Sequence, residues 1–65
     1  MTKVILLNLD PNDYILACRV VKWMVKQPPN IKDGILDFDD HSAPMAKHTF
    51  YVRRNKASIT VRKIP

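Results

Sequence analysis

The side chains of this chain that are best suited to a binding task are the basic and aromatic residues near the C-terminus. Residues 46–65 contain six basic and no acidic residues, within a chain whose net charge is +5. Guanidinium groups match the geometry of phosphate oxygens, and aromatic rings stack on nucleic-acid bases. The sequence therefore predicts a nucleic-acid-binding surface, which is formed by Tyr51, Arg53, Arg54, Lys56, Arg62 and Lys63.

A second basic group follows Pro11, where the pattern predicts a helix. At helical spacing, Arg19, Lys22 and Lys26 share one side with Ile15, and Trp23 lies at the border of that side. Lysines at this spacing are typical of a solvated helix face. If the partner is instead a protein with an acidic surface, the predicted contact residues are Ile15, Arg19, Lys22, Trp23 and Lys26.

Motifs for catalysis or metal binding are not recognisable. Gly34 is the single glycine, which excludes a glycine-rich phosphate loop. Acidic and histidine residues recur at Asp37, Asp39, Asp40, His41 and His48, but their spacing matches no zinc or calcium template. A Ser-His-Asp triad would need Ser42, His41 and Asp39, which are too close in sequence to adopt triad geometry. We predict a protein that is not an enzyme and has no catalytic residue, metal or cofactor.

Cys18 is the only cysteine, so the chain cannot form an internal disulfide. A lone cysteine is typical of a reducing compartment, and its position on the predicted apolar side of the helix indicates an inert core thiol. The longest apolar run is far shorter than the roughly 20 residues of a transmembrane helix. The N-terminus does not follow a signal-peptide pattern. These features predict a cytoplasmic protein without membrane contact.

Five elements are predicted to position these residues. Strands are expected over residues 4–9, 34–39, 48–54 and 57–64, and a helix over residues 11–26. Asp10 suits the N-cap and Pro11 the first helical turn, while Pro28 and Pro29 prevent the helix from continuing. The first strand is apolar on both alternating faces, which predicts burial on both sides. The apolar arc of the helix comprises Tyr14, Ala17, Cys18, Val20, Val21, Met24 and Val25.

The last two strands alternate strongly enough to predict a hairpin. A two-residue turn at Asn55 and Lys56 would place Val52 opposite Ile59 and Phe50 opposite Val61. Those four apolar side chains then point inward together, and a slip of one residue would bury arginines instead. The outward face would carry Tyr51 and the basic residues. Two-stranded ribbons of this kind fit the major groove of DNA.

The predicted fold is an α+β two-layer sandwich, with one helix packed on a small, mostly antiparallel sheet in the order β-α-β-β-β. It forms a single domain over residues 1–65. If the first two strands are parallel neighbours, the helix is the crossover between them. The face of the sheet away from the helix has nothing to cover it, and Val4, Leu6 and Ile35 are expected there beside Tyr51.

A short segment resembles a known family. Lys22-Trp23 followed by residues 28–34 resembles the end of the recognition helix and the entry to the wing in small phage excisionases. That resemblance implies a winged-helix protein that bends DNA. Those proteins open with a helix whereas this chain opens with an apolar strand, so no residue roles are transferred.

Two functional hypotheses follow. The first is a small non-catalytic accessory or regulatory protein that binds DNA or RNA through the basic C-terminal hairpin. The alternative is a protein-interaction module or inhibitor of phage or plasmid type, which binds an acidic protein surface through the hairpin or the open sheet face. A homodimer through the sheet is compatible with both. The competing structural interpretation is a solvated strand face whose arginines pair with Asp37 and Asp39.

Overall fold

The structure, a computed structural model, describes residues 2–39 and 47–64. Strand β1 spans Lys3–Leu7, and a 3-10 turn over Pro11–Asp13 leads directly into helix α1 at Tyr14–Lys26. Strands β2, β3 and β4 span Asp33–Asp39, Lys47–Arg54 and Ser58–Ile64. The predicted elements are therefore all present. The predicted loop after Asp39 lies outside the described residues.

The four strands form one sheet in the order β1-β4-β3-β2, and α1 packs on one side of it. β1 runs parallel to β4, while the β2–β3 and β3–β4 pairs are antiparallel. This confirms the predicted α+β sandwich. The side of the sheet that faces α1 is called the helix side below, and the opposite side is called the open face.

The core lies between α1 and the two central strands. Each of these elements contributes residues that are less than 5% exposed: Ala17, Val20, Met24, Phe50, Val52, Ile59 and Val61. Phe38 of β2 packs edge-on against Phe50, with ring centroids 5.8 Å apart. The alternation of β3 and β4 thus buries the four apolar side chains that were predicted to point inward.

The predicted turn of the hairpin is wrong by one residue. The backbone N–H of Asn55 donates to the carbonyl oxygen of Ser58, so Lys56 and Ala57 form the two-residue loop. The Asn55 side chain accepts from the backbone N–H groups of Ala57 and Ser58, at 2.9 and 2.8 Å. Asparagine is thus used as a side-chain acceptor at the first turn position rather than inside the loop.

The shifted turn moves the register of the hairpin by two residues. Val52 pairs with Val61 and Tyr51 with Arg62, where the prediction paired Val52 with Ile59. A slip of two residues keeps every side chain on its own face, because side chains alternate with a period of two. The predicted faces are therefore correct although the predicted partners are not.

Strand β1 departs from three predictions. It is an edge strand that pairs with β4, so β1 and β2 lie at opposite edges and are not parallel neighbours. It is exposed rather than buried on both sides. Val4 and Leu6 are cross-strand partners of the buried Ile59 and Val61, which places them on the helix side and not on the open face. Ile5 and Leu7 occupy the open face instead.

The buried side of α1 is rotated toward Trp23 relative to the predicted arc. Trp23 packs over Gly34 of β2 so closely that a Cβ at Gly34 would lie 2.7 Å from the indole ring. This contact places the helix over β3, with further contacts to β2 and β4. Tyr14, Cys18 and Val25, at the other end of the predicted arc, are exposed, so Cys18 is not a core thiol.

Candidate nucleic-acid interface

The open face is nearly uncovered. The pairing register of the strands arranges its side chains in rows that run across the sheet. One row runs from Asp33 through Arg53 and Thr60 to Ile5, and the next from Ile35 through Tyr51 and Arg62 to Leu7. Both rows cross all four strands. The sheet therefore brings Tyr51, Arg53 and Arg62 together at its centre, as the sequence predicts.

Arg53 and Arg62 keep their positive charge accessible. Both side chains are exposed, and no carboxylate in residues 2–39 and 47–64 lies within ion-pair distance of either. The Arg62 guanidinium carbon lies 5.7 Å from the centroid of the Tyr51 ring, which is a cation–π arrangement. The Tyr51 hydroxyl lies 3.4 Å from a carboxylate oxygen of Asp33, which is long for a hydrogen bond. These contacts hold Tyr51 across the face.

A depression of about 500 Å³ lies at this position. It is lined by Leu7, Tyr51, Arg53, Arg54, Asn55, Thr60 and Arg62. Two guanidinium groups, an aromatic ring and the short hydroxyl side chain of Thr60 thus share one shallow surface. Such a surface can donate several charge-assisted hydrogen bonds to an anion and offers a ring for stacking.

Arg54 belongs to the helix side and works within the fold. Its Nε and Nη1 donate to the carbonyl oxygens of Ile31 and Met24, each at 2.9 Å. Its Nη2 donates to the carbonyl oxygens of Gln27 and Pro28. These carbonyls belong to the last turn of α1 and the loop after it, and those of Met24 and Pro28 also accept a backbone N–H, from Gln27 and Ile31. Arg54 therefore caps the C-terminal end of α1 and holds it to the end of β3.

Lys63 also lies on the helix side, where it contacts a buried carboxylate. Asp13 is 3% exposed, and the Lys63 ammonium lies 3.2 and 3.0 Å from its two oxygens. His48 Nδ1 lies 3.7 Å from Asp13 Oδ1, and the backbone N–H of Asp10 donates to Oδ2. This cluster fixes the N-terminal end of α1 to the ends of β3 and β4.

The surroundings of Asp13 lower the pKa of its carboxyl group. Burial raises this pKa, but the hydrogen bonds from Lys63 and the Asp10 backbone oppose that effect, and so do the charges of Lys63 and His48. The net result is a pKa below the ordinary value of 3.8. Asp13 is therefore ionised at neutral pH, and its charge is balanced inside the fold.

Lys56 lies at the loop of the β3–β4 hairpin, where two other lysines converge. The backbone N–H of Lys3 donates to the carbonyl oxygen of Ala57, and that of Arg54 donates to the carbonyl oxygen of Lys32. Lys3, Lys32 and Lys56 are all exposed. The sequence did not predict this grouping, because it depends on β1 and β2 both starting at the hairpin end of the sheet.

Strand β2 gives the sheet an acidic edge. Asp33, Asp37 and Asp39 are exposed along it, and Asp37 pairs with Thr49 of β3 in the ladder. Neither Asp37 nor Asp39 lies within ion-pair distance of Arg53 or Arg62 in the described parts of the chain. The open face is thus basic over β3 and β4 and acidic along β2.

The residues of the alternative surface lie on α1, on the other side of the molecule. Ile15 is 72% exposed, and Arg19, Lys22 and Lys26 are exposed at the same helical spacing. Trp23 is only half-exposed, because it packs against Gly34 and the core. Four of the five residues therefore form one exposed stripe, and Trp23 serves mainly in packing.

The metal and membrane hypotheses can be examined in the described part of the chain. Within residues 2–39 and 47–64, no three histidine, cysteine, aspartate or glutamate side chains are grouped closely enough to hold a metal ion. Asp40, His41 and Ser42 lie outside the described residues. Among the helices described, none has the length and apolar character needed to cross a bilayer.

Comparisons with protein-family models, with curated proteins and with solved structures gave no match. The functional interpretation therefore depends on the residues of the open face and on their contacts.

Proposed function

We propose that this chain is a small nucleic-acid-binding accessory protein that takes a single strand of DNA or RNA on its open face. Arg53 and Arg62 would contact phosphates, and Tyr51 would stack on a base. The supporting observation is that both arginines stay exposed beside Tyr51, without a carboxylate at ion-pair distance in the described residues. Exposed cations that face no carboxylate among the described residues, and that lie beside an aromatic ring, suit a ligand that brings its own negative charge.

The position of the hairpin within the sheet favours a single strand over a duplex. β3 and β4 are the central strands, with β2 and β1 on either side. Four strands at a spacing of about 4.8 Å make a backbone sheet about 14 Å wide before side chains are added. The major groove of B-DNA is about 12 Å wide. The predicted ribbon-in-groove mode is therefore unfavourable, because the hairpin is not a free two-stranded ribbon.

The charges of the open face suggest a path for the strand. The carboxylates of β2 repel phosphates, whereas Arg62 and Arg53 lie over β4 and β3. Lys56 and Lys3 continue the positive charge at the hairpin end. A backbone that follows β4 from Arg62 toward Lys56 would keep its phosphates near cations and away from Asp33 and Asp37.

The proposed role is non-catalytic and cytoplasmic. Arg54 and Lys63, which the sequence assigns to the same surface, would contribute to binding only indirectly, because their charged groups are engaged with α1 and Asp13. The direct contacts would come from Tyr51, Arg53, Lys56 and Arg62.

Fluorescence anisotropy with a labelled oligonucleotide of about 15 nucleotides tests this function. Single-stranded DNA, single-stranded RNA and a duplex of the same length are titrated at about 50 and about 200 mM salt. We expect tighter binding to the single strands, with affinity falling as salt rises because cations are released from the phosphates. Tyr51→Leu should weaken binding while leaving most of the salt dependence. Negligible affinity for all three ligands at low salt would contradict the proposal.

A second candidate function is supported by the exposed stripe on α1. Ile15 is 72% exposed and is followed at helical spacing by Arg19, Lys22 and Lys26. An apolar side chain in line with cations suits an acidic, partly apolar protein surface. In this case Ile15→Ser should abolish capture of a protein partner from nuclease-treated lysate. Loss of all captured material upon nuclease treatment would argue against this candidate.

A further inference from the structure

The two edge strands of the sheet, β1 and β2, differ strongly in how well they are protected against pairing with another strand. At the β2 edge, the exposed carboxylates of Asp33, Asp37 and Asp39 oppose pairing with another strand. β1 carries one charge, at Lys3, and continues as Val4, Ile5, Leu6 and Leu7. Val4, Leu6 and Leu7 are 47%, 40% and 44% exposed. An edge strand that is apolar after its first residue is a template for pairing with another strand.

The helix side of β1 is also uncovered. Because α1 lies over β3, Val4 and Leu6 form one wall of a groove whose other wall is α1. The groove measures about 240 Å³ and is lined by Val4, Leu6, Ala17, Cys18, Val21 and Lys22. Both the backbone edge and the apolar side chains of β1 are therefore available to the same partner.

We propose that β1 pairs with β1 of a second copy of this chain, antiparallel across a two-fold axis. With Ile5 on the axis, Val4 lies opposite Leu6 of the second copy, and Lys3 lies opposite Leu7 of the second copy. The two four-stranded sheets become one continuous sheet of eight strands. The two open faces lie on the same side of it, since cross-strand partners share a face.

The charge of Lys3 favours antiparallel over parallel pairing of the two β1 strands. In the antiparallel register the two Lys3 residues are four positions apart, which is about 14 Å at 3.4 Å per residue. A parallel pairing in register would set these two ammonium groups side by side. The two acidic β2 strands become the outer edges of the joined sheet, where their carboxylates oppose pairing with further copies. The two-fold interface uses both β1 edges, so the assembly closes at two copies.

The size of the contact sets the expected strength. β1 has five residues, so the paired region is about 17 Å long. Such a contact buries less than the roughly 800 Å² per partner of a standard stable interface. We therefore expect a reversible dimer with a dissociation constant on the order of micromolar to hundreds of micromolar. This inference does not depend on nucleic-acid binding.

Sedimentation equilibrium without nucleic acid, over a wide range of protein concentration, tests the dimer. The mass should rise from the 7.5 kDa of one chain toward twice that value. Leu7→Lys places a cation opposite Lys3 of the second copy and should weaken the dimer about tenfold, counting both symmetric contacts. Leu7→Glu places a carboxylate there and should strengthen it. Ile35→Lys, on the exposed β2 edge, is the matched control and should leave the dissociation constant unchanged.

Amide hydrogen exchange provides a second measurement that does not depend on a variant. Protection should rise with protein concentration in β1 and stay constant in β2. A monomeric mass up to about millimolar concentration would overturn the proposal. It would also be overturned if Leu7→Lys and Leu7→Glu changed the dimer in the same direction, or if Ile35→Lys weakened it as much as Leu7→Lys.

Discussion

Arg53 and Arg54 are neighbours in the sequence with the same charge, but they have opposite roles in the structure. Arg53 lies exposed on the open face, whereas Arg54 lies on the helix side and donates to carbonyl oxygens around the end of α1. Arg62 and Lys63 repeat this division, since Arg62 lies over Tyr51 and Lys63 contacts buried Asp13. We call Arg54 and Lys63 the inward pair, and Arg53 and Arg62 the outward pair.

The inward pair holds the helix to the sheet at both of its ends. Arg54 caps the C-terminal end of α1, and Lys63 neutralises Asp13 at the N-terminal end. The outward pair makes no comparable contact within the described residues. The comparison shows that a basic block is not one surface. Strand alternation divides it, and two of its six cations, Arg54 and Lys63, stabilise the fold.

The largest effect is expected for Arg54→Ala. The carbonyl oxygens of Met24 and Ile31 would lose a charged hydrogen-bond donor, and those of Gln27 and Pro28 would lose theirs as well. Hydrogen bonds to charged groups contribute about 1.5–3 kcal/mol each but are not additive, so we expect a loss of about 2–4 kcal/mol in unfolding free energy. Urea denaturation measures this loss. Arg53→Ala is the matched control, and an equal loss in both variants would contradict the division into two pairs.

Lys63→Met should have the next largest effect. It would leave the carboxylate of Asp13, which is 3% exposed, without its main partner. Because the Lys63 side chain is 25% exposed, we expect about 2 kcal/mol, below the 3–5 kcal/mol for breaking a fully buried pair. A double-mutant cycle with Asp13→Asn isolates the contact. Additive losses in the cycle would show that the two side chains do not interact.

The same contact gives a pH dependence of stability. The pKa of Asp13 is lowered in the folded protein, mainly by Lys63 acting against the opposing effect of burial. The stabilisation is therefore fully present above the unfolded pKa of about 3.8 and is lost as the pH falls through the lower folded pKa. Thermal unfolding between about pH 5 and pH 2 should show a drop that is smaller in Asp13→Asn. Identical profiles for the two proteins would contradict this assignment.

The smallest effect on stability is expected for the outward pair. Arg62→Ala removes the cation–π contact with Tyr51, which is worth about 0.5–1 kcal/mol at an exposed site. Arg53→Ala removes no ion pair within the described residues and should change the unfolding free energy by less than about 0.5 kcal/mol. Urea denaturation of both variants measures these changes. Losses as large as that of Lys63→Met would show that the outward pair is structural as well.

The sequence was sufficient to predict which face each side chain of the hairpin points to, but not which residues pair across the two strands. The apolar side chains of the two strands alternate clearly, at Phe50, Val52, Ile59 and Val61. A slip of two residues in the pairing leaves these side chains on the same face, so the pattern could not determine that the loop follows Asn55. Arg54 lies two and four residues after Val52 and Phe50, so alternation along the strand places all three side chains on the same face. The sequence alone could therefore have assigned Arg54 to the helix side. Its contacts with α1 were not predictable, because they depend on where the helix ends over the sheet.

The position of β1 was the least predictable part of the fold. Its continuous apolar run is typical of a strand buried on both sides, but pairing with β4 places it at the sheet edge. That pairing joins residues more than fifty positions apart, such as Lys3 and Ser58, and nothing in either local pattern selects it. Trp23 against Gly34 likewise fixes the helix position through a contact between elements.

The central claim, that the outward pair forms the binding surface, can be tested by comparing two variants with the same net charge. Arg53→Ala/Arg62→Ala removes the outward pair, and Arg19→Ala/Lys26→Ala removes two exposed cations from α1. Single-strand binding is measured by anisotropy at several salt concentrations. The first variant should bind much more weakly. The slope of its log affinity against log salt concentration should be shallower by about 0.7 for each phosphate that it no longer neutralises. The second variant should bind nearly as the parent chain does. Equal weakening in the two variants would contradict the claim, because it would show that net charge alone accounts for the binding.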